Sequence, residues 1–333
     1  MTMRPLLRIL GAALAVAVLV VILSVKLNTF RDYQIAEIAT EVTAVAGLTV
    51  LTGLSGQISL GNGAFMAIGA YTTALLLMHL GWPFVAVLVV AAAVTAGAGA
   101  IVGAAAARLH GPYLAGATLM LGVGLPSLAS VYPGVFGGDQ GLNVVYGVPG
   151  FLGANFPLTR WQAWVCSAVA LVTLVLLANL ARSRVGRNWR AVRDDEVAAA
   201  LAGVNVARAR ILAFVVSATC AGMAGALLAI ITELVAPGAF TITLSIALLT
   251  AAVIGGLGSL SGAIWGSLVI VLLPTYATDV ATSHGLSTAV ASNIPVAAYG
   301  VVLILVMLIF PQGIQGGVLW LIRLFWNKKE GTQ

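Results

Sequence analysis

Lysine is almost missing from this chain. Of 16 basic residues only Lys26, Lys328 and Lys329 are lysine, and none follows a glycine. A phosphate-cradling loop, which needs Gly-Lys-Ser/Thr, is thereby excluded. Cysteine is as scarce: Cys166 and Cys220 fall inside apolar runs with no ligand spacing around them, so neither a disulfide framework nor a metal site is indicated, and both read as small core residues. The histidines, His79, His110 and His284, all lie at the ends of apolar runs. With no nucleophile elbow, no zinc spacing and no cofactor motif, nothing supports catalysis.

Charge is the largest deficit. Asp, Glu, Lys and Arg make up 8% of the 333 residues, against about 25% in a soluble domain, and mean hydropathy is +1.08. Most of the chain must therefore lie in hydrocarbon rather than around an aqueous core. The expected fold is an all-α, polytopic membrane bundle. A nucleic-acid role is unsupported, because the one basic segment is small and attached to that bundle.

Apolar runs of roughly 17 to 25 residues mark spans. Ten are predicted, near 6–26, 35–53, 63–81, 83–107, 112–131, 161–181, 211–231, 243–257, 260–277 and 294–311, within a range of eight to eleven. The opening MTMRPLLRILGAALAVAVLVVILSVKL has a signal peptide's basic lead, but Ser24-Val25-Lys26 gives no small-residue cleavage pattern. A retained first helix is expected.

Placing the N-terminus in the cytoplasm puts Arg4, Arg8, Arg108, Arg182, Arg184, Arg187, Arg190, Arg193, Arg208, Arg210, Arg323, Lys328 and Lys329 on the inner side. Only Lys26, Arg31 and Arg160 are then outside. This asymmetry satisfies the positive-inside rule, and an even number of spans leaves both termini cytoplasmic.

Two connections exceed a simple turn. Residues 131–160, rich in Gly and Pro, carry only Asp139 and Arg160 as charges and are expected to form an outer cap or docking surface. Residues 182–210 hold seven arginines and three acids and are expected inside. From Asn188 their pattern is helical: Val197, Leu201 and Val204 share a face, Trp189 and Val192 extend it, and Gly203 ends it. One short amphipathic helix of this kind can enter a groove on a soluble partner. It could equally lie among anionic lipid headgroups, but Asp194, Asp195 and Glu196 gain nothing against an anionic leaflet, so partner docking is favoured.

The stretch GLSGQISLGNG, residues 53–63, interrupts two spans with four glycines and four polar side chains. Irregular backbone at membrane depth is tolerated only where protein or a wet cavity satisfies it, so the break should face the bundle interior. Two roles stay open for Gly53, Gly56, Gln57, Ser59, Gly61 and Asn62: lining a solute path, or forming a tight packing seam. Gly255, Gly256 and Gly258 mark a second elbow of the same kind. Among acids, Glu37 and Glu41 are expected on one face near the outer end of the second span, lining a vestibule or pairing at the interface. Glu233 also falls at an outer span end, and no acid is placed at mid-membrane to serve as a proton relay.

RDDEVAAALAG, residues 193–203, resembles the loop of ABC importer permeases in which a Glu-Ala-Ala-like stretch precedes a glycine. Glu196, Ala198, Ala199 and Gly203 fall in the matching places, with one extra residue after the glutamate. GLSGQISLGNGAFMAIGAY, residues 53–71, resembles the signature of LivM-type permeases of branched-chain amino-acid importers. Asn62 stands where that family more often has histidine or another residue. RLHGPYLAGATLML at 108–121, GGDQGL at 137–142 and GGLGSLSGAIWGSLVIVLLP at 255–274 extend the likeness in consistent order.

The resemblance implies one transmembrane permease domain in a bacterial inner membrane, forming half of a pore without doing chemistry or needing a cofactor. It implies a second, LivH-like permease, two cytoplasmic ABC ATPase chains and a periplasmic binding protein as partners, with ATPase coupling through Arg193, Asp194, Asp195, Glu196, Ala198, Ala199 and Gly203. The solute would be a branched-chain or related amino acid, with urea and short amides as alternatives. An ion- or proton-coupled secondary transporter is the competing class.

Overall fold

A bilayer interior offers backbone groups no hydrogen-bond partner, so each apolar run closes its bonds within itself as a helix. The computed structural model of the protein describes residues 28–109, 111–150, 153, 156–283, 294–310 and 313–318, together with 11, 15–18, 20–22, 24 and 26. Helix α1, Thr29–Thr49, passes into one π-helical turn, Val50–Leu54. It is followed by α2 (Asn62–Leu80), α3 (Phe84–Ala106), α4 (Pro112–Val131) and α5 (Leu158–Arg182). Two short helices, α6 (Arg184–Asp194) and α7 (Glu196–Leu201), lead into α8 (Val206–Thr232). The chain then forms α9 (Ile242–Gly255), α10 (Leu260–Ser283) and α11 (Ile294–Ile309).

Among the described residues nine helices are long and apolar enough to cross a membrane. They coincide with the second to tenth predicted spans. The predicted first span, 6–26, lies largely outside the described residues, though Ser24 is buried and its hydroxyl accepts from Trp164 Nε1 of α5 at 2.8 Å.

Helix α8 is the centre of the bundle and packs against α1, α2 and α3. Small residues make this possible. A Cβ added at Gly99 or Gly103 of α3 would stand 2.5 Å from Ala218 Cβ or 2.9 Å from Phe214 Cβ, and one at Gly69 of α2 would land on the backbone of Gly222. Lipid is as apolar as leucine, so helices gain little by merely hiding apolar surface from it; close backbone approach and dispersion hold them together instead. Polar residues within the spans bond back to their own helix: the hydroxyls of Thr40, Thr43, Thr73 and Thr95 donate to carbonyls four residues earlier, at 2.7 to 2.9 Å.

The described residues of the 131–160 connection are held by contacts that the sequence did not announce. Strand β1 (Leu142–Asn143) pairs antiparallel with β2 (Leu234–Val235) just after α8, and Val144 N donates to Glu233 O at 2.8 Å. Phe136 meets Tyr71 of α2 edge to face at 5.1 Å. Trp161 Nε1 donates to Tyr146 Oη at 2.9 Å, and Arg160 pairs with buried Asp32 at 3.5 Å. The connection thus ties α1, α2, α5 and α8 together at the face opposite the arginine-rich segment.

Replacing Gly69 with valine should cost at least the roughly 1 to 3 kcal/mol of ordinary overpacking, because the obstacle is backbone. Thermal unfolding in detergent should show a lowered midpoint. Gly97→Val, where an added Cβ meets nothing within 4 Å, should leave the midpoint near that of the parent.

Candidate functional site

The segment 182–210 holds two helices rather than the single amphipathic helix expected. Its first half, α6, folds back on the end of α5: Ser183 caps it by accepting from Val185 N at 3.1 Å, and Gly186 fits against the Ala181 carbonyl with no room for a Cβ. Trp189 and Val192 point inward and are buried, with Trp189 Nε1 donating to Ala209 O at 2.9 Å. Arg182, Arg184 and Arg187 are left exposed.

Asp195 breaks the helix. Its backbone is extended, at φ −158°, and its carboxylate accepts from Val197 N at 2.8 Å and Ala198 N at 2.9 Å, an N-cap that starts α7 in a new direction. The apolar residues therefore divide. Trp189 and Val192 face the bundle, whereas Val197 and Leu201 are 70% and 86% exposed on the second helix.

The end of α7 explains Gly203. Val204 N donates to Ala199 O and Gly203 N to Ala200 O, both at 3.0 Å, while Gly203 adopts φ +83°. This is a Schellman cap, whose left-handed residue is readily supplied only by glycine. A Cβ there would meet nothing, so conformation rather than space demands it. Ala198 is exposed and Ala199 buried.

Three of the predicted coupling residues turn back into the chain. Glu196 forms an ion pair with Arg210 of α8. Arg193 Nη1 donates to Gly53 O at 2.7 Å, and its Nε and Nη2 hold Asp194 Oδ1 at 3.0 and 2.8 Å. The first glycine elbow thus lies directly against the arginine-bearing segment.

Within that elbow the glycines meet packing demands. A Cβ at Gly53 would fall on the nitrogen of Gly258, joining the two elbows, and one at Gly61 would come 2.9 Å from Thr118 O. Gly56, at φ +74°, lets the chain pass Arg193, whose Cγ lies 2.8 Å from where a Cβ would be. In the second elbow Gly255 abuts Gly262, and Gly256 and Gly258 have φ values of +116° and +86°.

The polar residues behave differently. Ser59 is fully buried and accepts from Gly61 N at 3.3 Å. Gln57 Nε2 donates to Ser55 Oγ at 2.5 Å and to Arg210 O at 3.5 Å, while its Oε1 has no partner among the described residues. Asn62 is 1% exposed with neither amide atom partnered among the described residues. Buried amides without partners are costly, and they are the groups that an ordered water or a passing solute would satisfy. Beside Gln57 a cavity of about 160 Å³, lined also by Ile58, Leu109, Leu114, Glu196 and Arg210, brings the elbow and the second helix of the segment to one place.

Glu41 is the residue that the sequence misplaced. Because α1 starts at Thr29 and its span runs to Leu54, 26 residues in all, Glu41 sits at the middle of the span rather than near its end. It is buried, and Oε2 has no partner among the described residues. Counting helix phase back from Thr29 would have found it, but the charged first turn hid the start of the helix.

Comparison with known proteins agrees with this architecture. Residues 30–311 match the family described as branched-chain amino acid transport system, permease component. The chain is 34% identical over 249 residues to the high-affinity branched-chain amino acid transport system permease protein LivM of Salmonella typhimurium, covering 68% of this chain and 58% of the relative. The matched region therefore spans under two thirds of the LivM length. It is also 30% identical over 294 residues to LivH of Escherichia coli, covering 84% of this chain and 92% of the relative. No solved structure matches. A family match running through nine spans, both glycine elbows and the arginine-bearing segment leaves one conclusion: the chain is a multi-pass membrane protein belonging to the permease component family of branched-chain amino acid transport systems.

Proposed function

We propose that this chain is one half of the pore of an ATP-driven importer for branched-chain or related amino acids, in a bacterial inner membrane. The observation that carries the reading is α7, a short helix capped at both ends whose Val197 and Leu201 lie uncovered at the arginine-bearing face. Apolar residues four apart on a rigid, exposed helix form the kind of face that a groove on another protein covers. Positive-inside asymmetry supports a cytoplasmic position for this face and for both termini.

The partners follow from the division of labour. Two cytoplasmic ATPase chains supply the energy, one docking on α7, and the chain itself transmits movement without chemistry. A second permease completes the pore; similarity to both LivM and LivH supports a pore of two related chains. A periplasmic binding protein delivers solute to the 131–160 connection. Arg182, Arg184 and Arg187, exposed where α5 ends, meet the anionic headgroups of the inner leaflet. Gln57 and Asn62 are the groups assigned to the solute path.

Glu41 favours a second reading, since a buried mid-span acid is the group that a proton- or ion-coupled carrier would use. Uptake into vesicles decides between the two. Transport should stop on ATP depletion and survive an ionophore; the opposite pattern would select the secondary carrier.

Val197→Glu with Leu201→Glu should lower retention of ATPase chains about tenfold or more, an interface loss of roughly 1.4 kcal/mol or above, while insertion is unchanged. Gly203→Ala and Glu196→Lys should act in the same direction. Normal complex yield and uptake in all three would remove the docking assignment. For the path, Gln57→Ala should change uptake with assembly intact, and unaltered uptake would return the elbow to a packing role.

A further inference from the structure

We infer that Arg193 is the positioning residue through which the arginine-bearing segment moves α1 and the second glycine elbow, an inference that rests on the ATP-driven reading above. It reassigns Arg193, whose side chain is 39% exposed, from a contact with a partner to a contact within the chain.

The argument starts from the end of α1. A helix that stops leaves its last carbonyls without partners, and the π-helical turn uses up only some of them: Ser55 N reaches Val50 O and Gln57 N reaches Leu51 O, both at 3.1 Å. The Gly53 carbonyl is taken by Arg193 Nη1 at 2.7 Å, from a residue 140 positions away. A guanidinium at a helix C-terminus is also favoured by the helix dipole.

Arg193 is gripped on its other side. Nε and Nη2 hold Asp194 Oδ1, so the planar fork is oriented from two directions and three of its nitrogens are engaged within the chain. That geometry suits a strut better than a group presented to a partner protein. Gly56, with its left-handed backbone, keeps the elbow close to the Arg193 stem.

Gly53 passes the contact onward. Its Cα face presses on the Gly258 backbone with no space for a methyl group between them. A displacement of α6 and α7 therefore reaches α1 through a charged bond and the α9–α10 elbow through backbone contact. Beside this route the Glu196–Arg210 ion pair ties the segment to α8, and the Gln57 contact with Arg210 O ties the first elbow to it. Two discrete arrangements of such an element are what converts a partner's movement into a change of pore shape.

The test is a coupling ratio. The permease is co-expressed and purified with the second permease and the ATPase chains, reconstituted with the binding protein supplied on the outer side, and assayed for ATPase retention, ATP hydrolysis and uptake of radiolabelled leucine. Arg193→Ala should retain ATPase chains within about twofold and hydrolyse ATP, yet move at least tenfold less solute per ATP. Arg193→Lys, which can give Gly53 O one bond but cannot hold Asp194 as a fork, should fall between. Should Arg193→Ala fail to elute as a single species, Arg193→Lys against the parent makes the same comparison. Unchanged solute per ATP overturns the inference, as does a loss of ATPase chains in step with uptake, which would make Arg193 a docking residue. A parent chain that retains no ATPase at all overturns the underlying reading instead, and the inference with it.

Discussion

A carbonyl or amide freed from its helix at the edge of hydrocarbon must find a partner inside the protein, and the structure around the first elbow is organised by that requirement. Seven residues separate the end of the α1 span from the start of α2. Backbone groups in and beside this stretch are met by side chains from distant elements: Leu60 N by Thr118 Oγ1 and, in the first turn of α2, Gly63 N by Ser245 Oγ, each at 3.0 Å. The strut from Arg193 is the charged member of the same set. The polar letters of GLSGQISLGNG and the hydroxyls on α4 and α9 are thus two halves of one arrangement.

Packing and polarity divide the site between them. Gly53, Gly61 and Gly255 owe their identity to neighbours that leave no room for a side chain. Gly56, Gly203 and Gly258 adopt left-handed backbone. Neither reason requires contact with solute. Only Gln57 and Asn62 carry buried amide atoms unmatched by the described residues, and the case for a solute path narrows to them.

Much of the fold was legible because hydrocarbon imposes a simple rule, and apolar length alone marked nine helices within a few residues. What failed, failed for local reasons. The helical pattern from Asn188 to Gly203 was read as one face, although Asp195 is a strong N-cap with the next helix beginning at Glu196; apolar periodicity across a break says nothing about which way each half points. Glu41 falls too near a membrane surface in the sequence reading because Arg31 and Asp32 lie before the predicted start at residue 35, whereas the helix begins at Thr29. The β1–β2 pairing was invisible, since two-residue strands 92 positions apart leave no periodic trace. In the site, glycines announced themselves, but whether each answers to φ or to crowding is a property of neighbours that are far away in sequence.

The contact between α2 and α8 carries a mechanical consequence. Gly69 rests on the Gly222 backbone, and Gly225 on the Met66 backbone. Sliding one helix along the other by a single residue would drive a side chain into main chain at both places, so the pair cannot ratchet. It behaves as a plank, and whatever bending the molecule undergoes is left to the hinges at its margins.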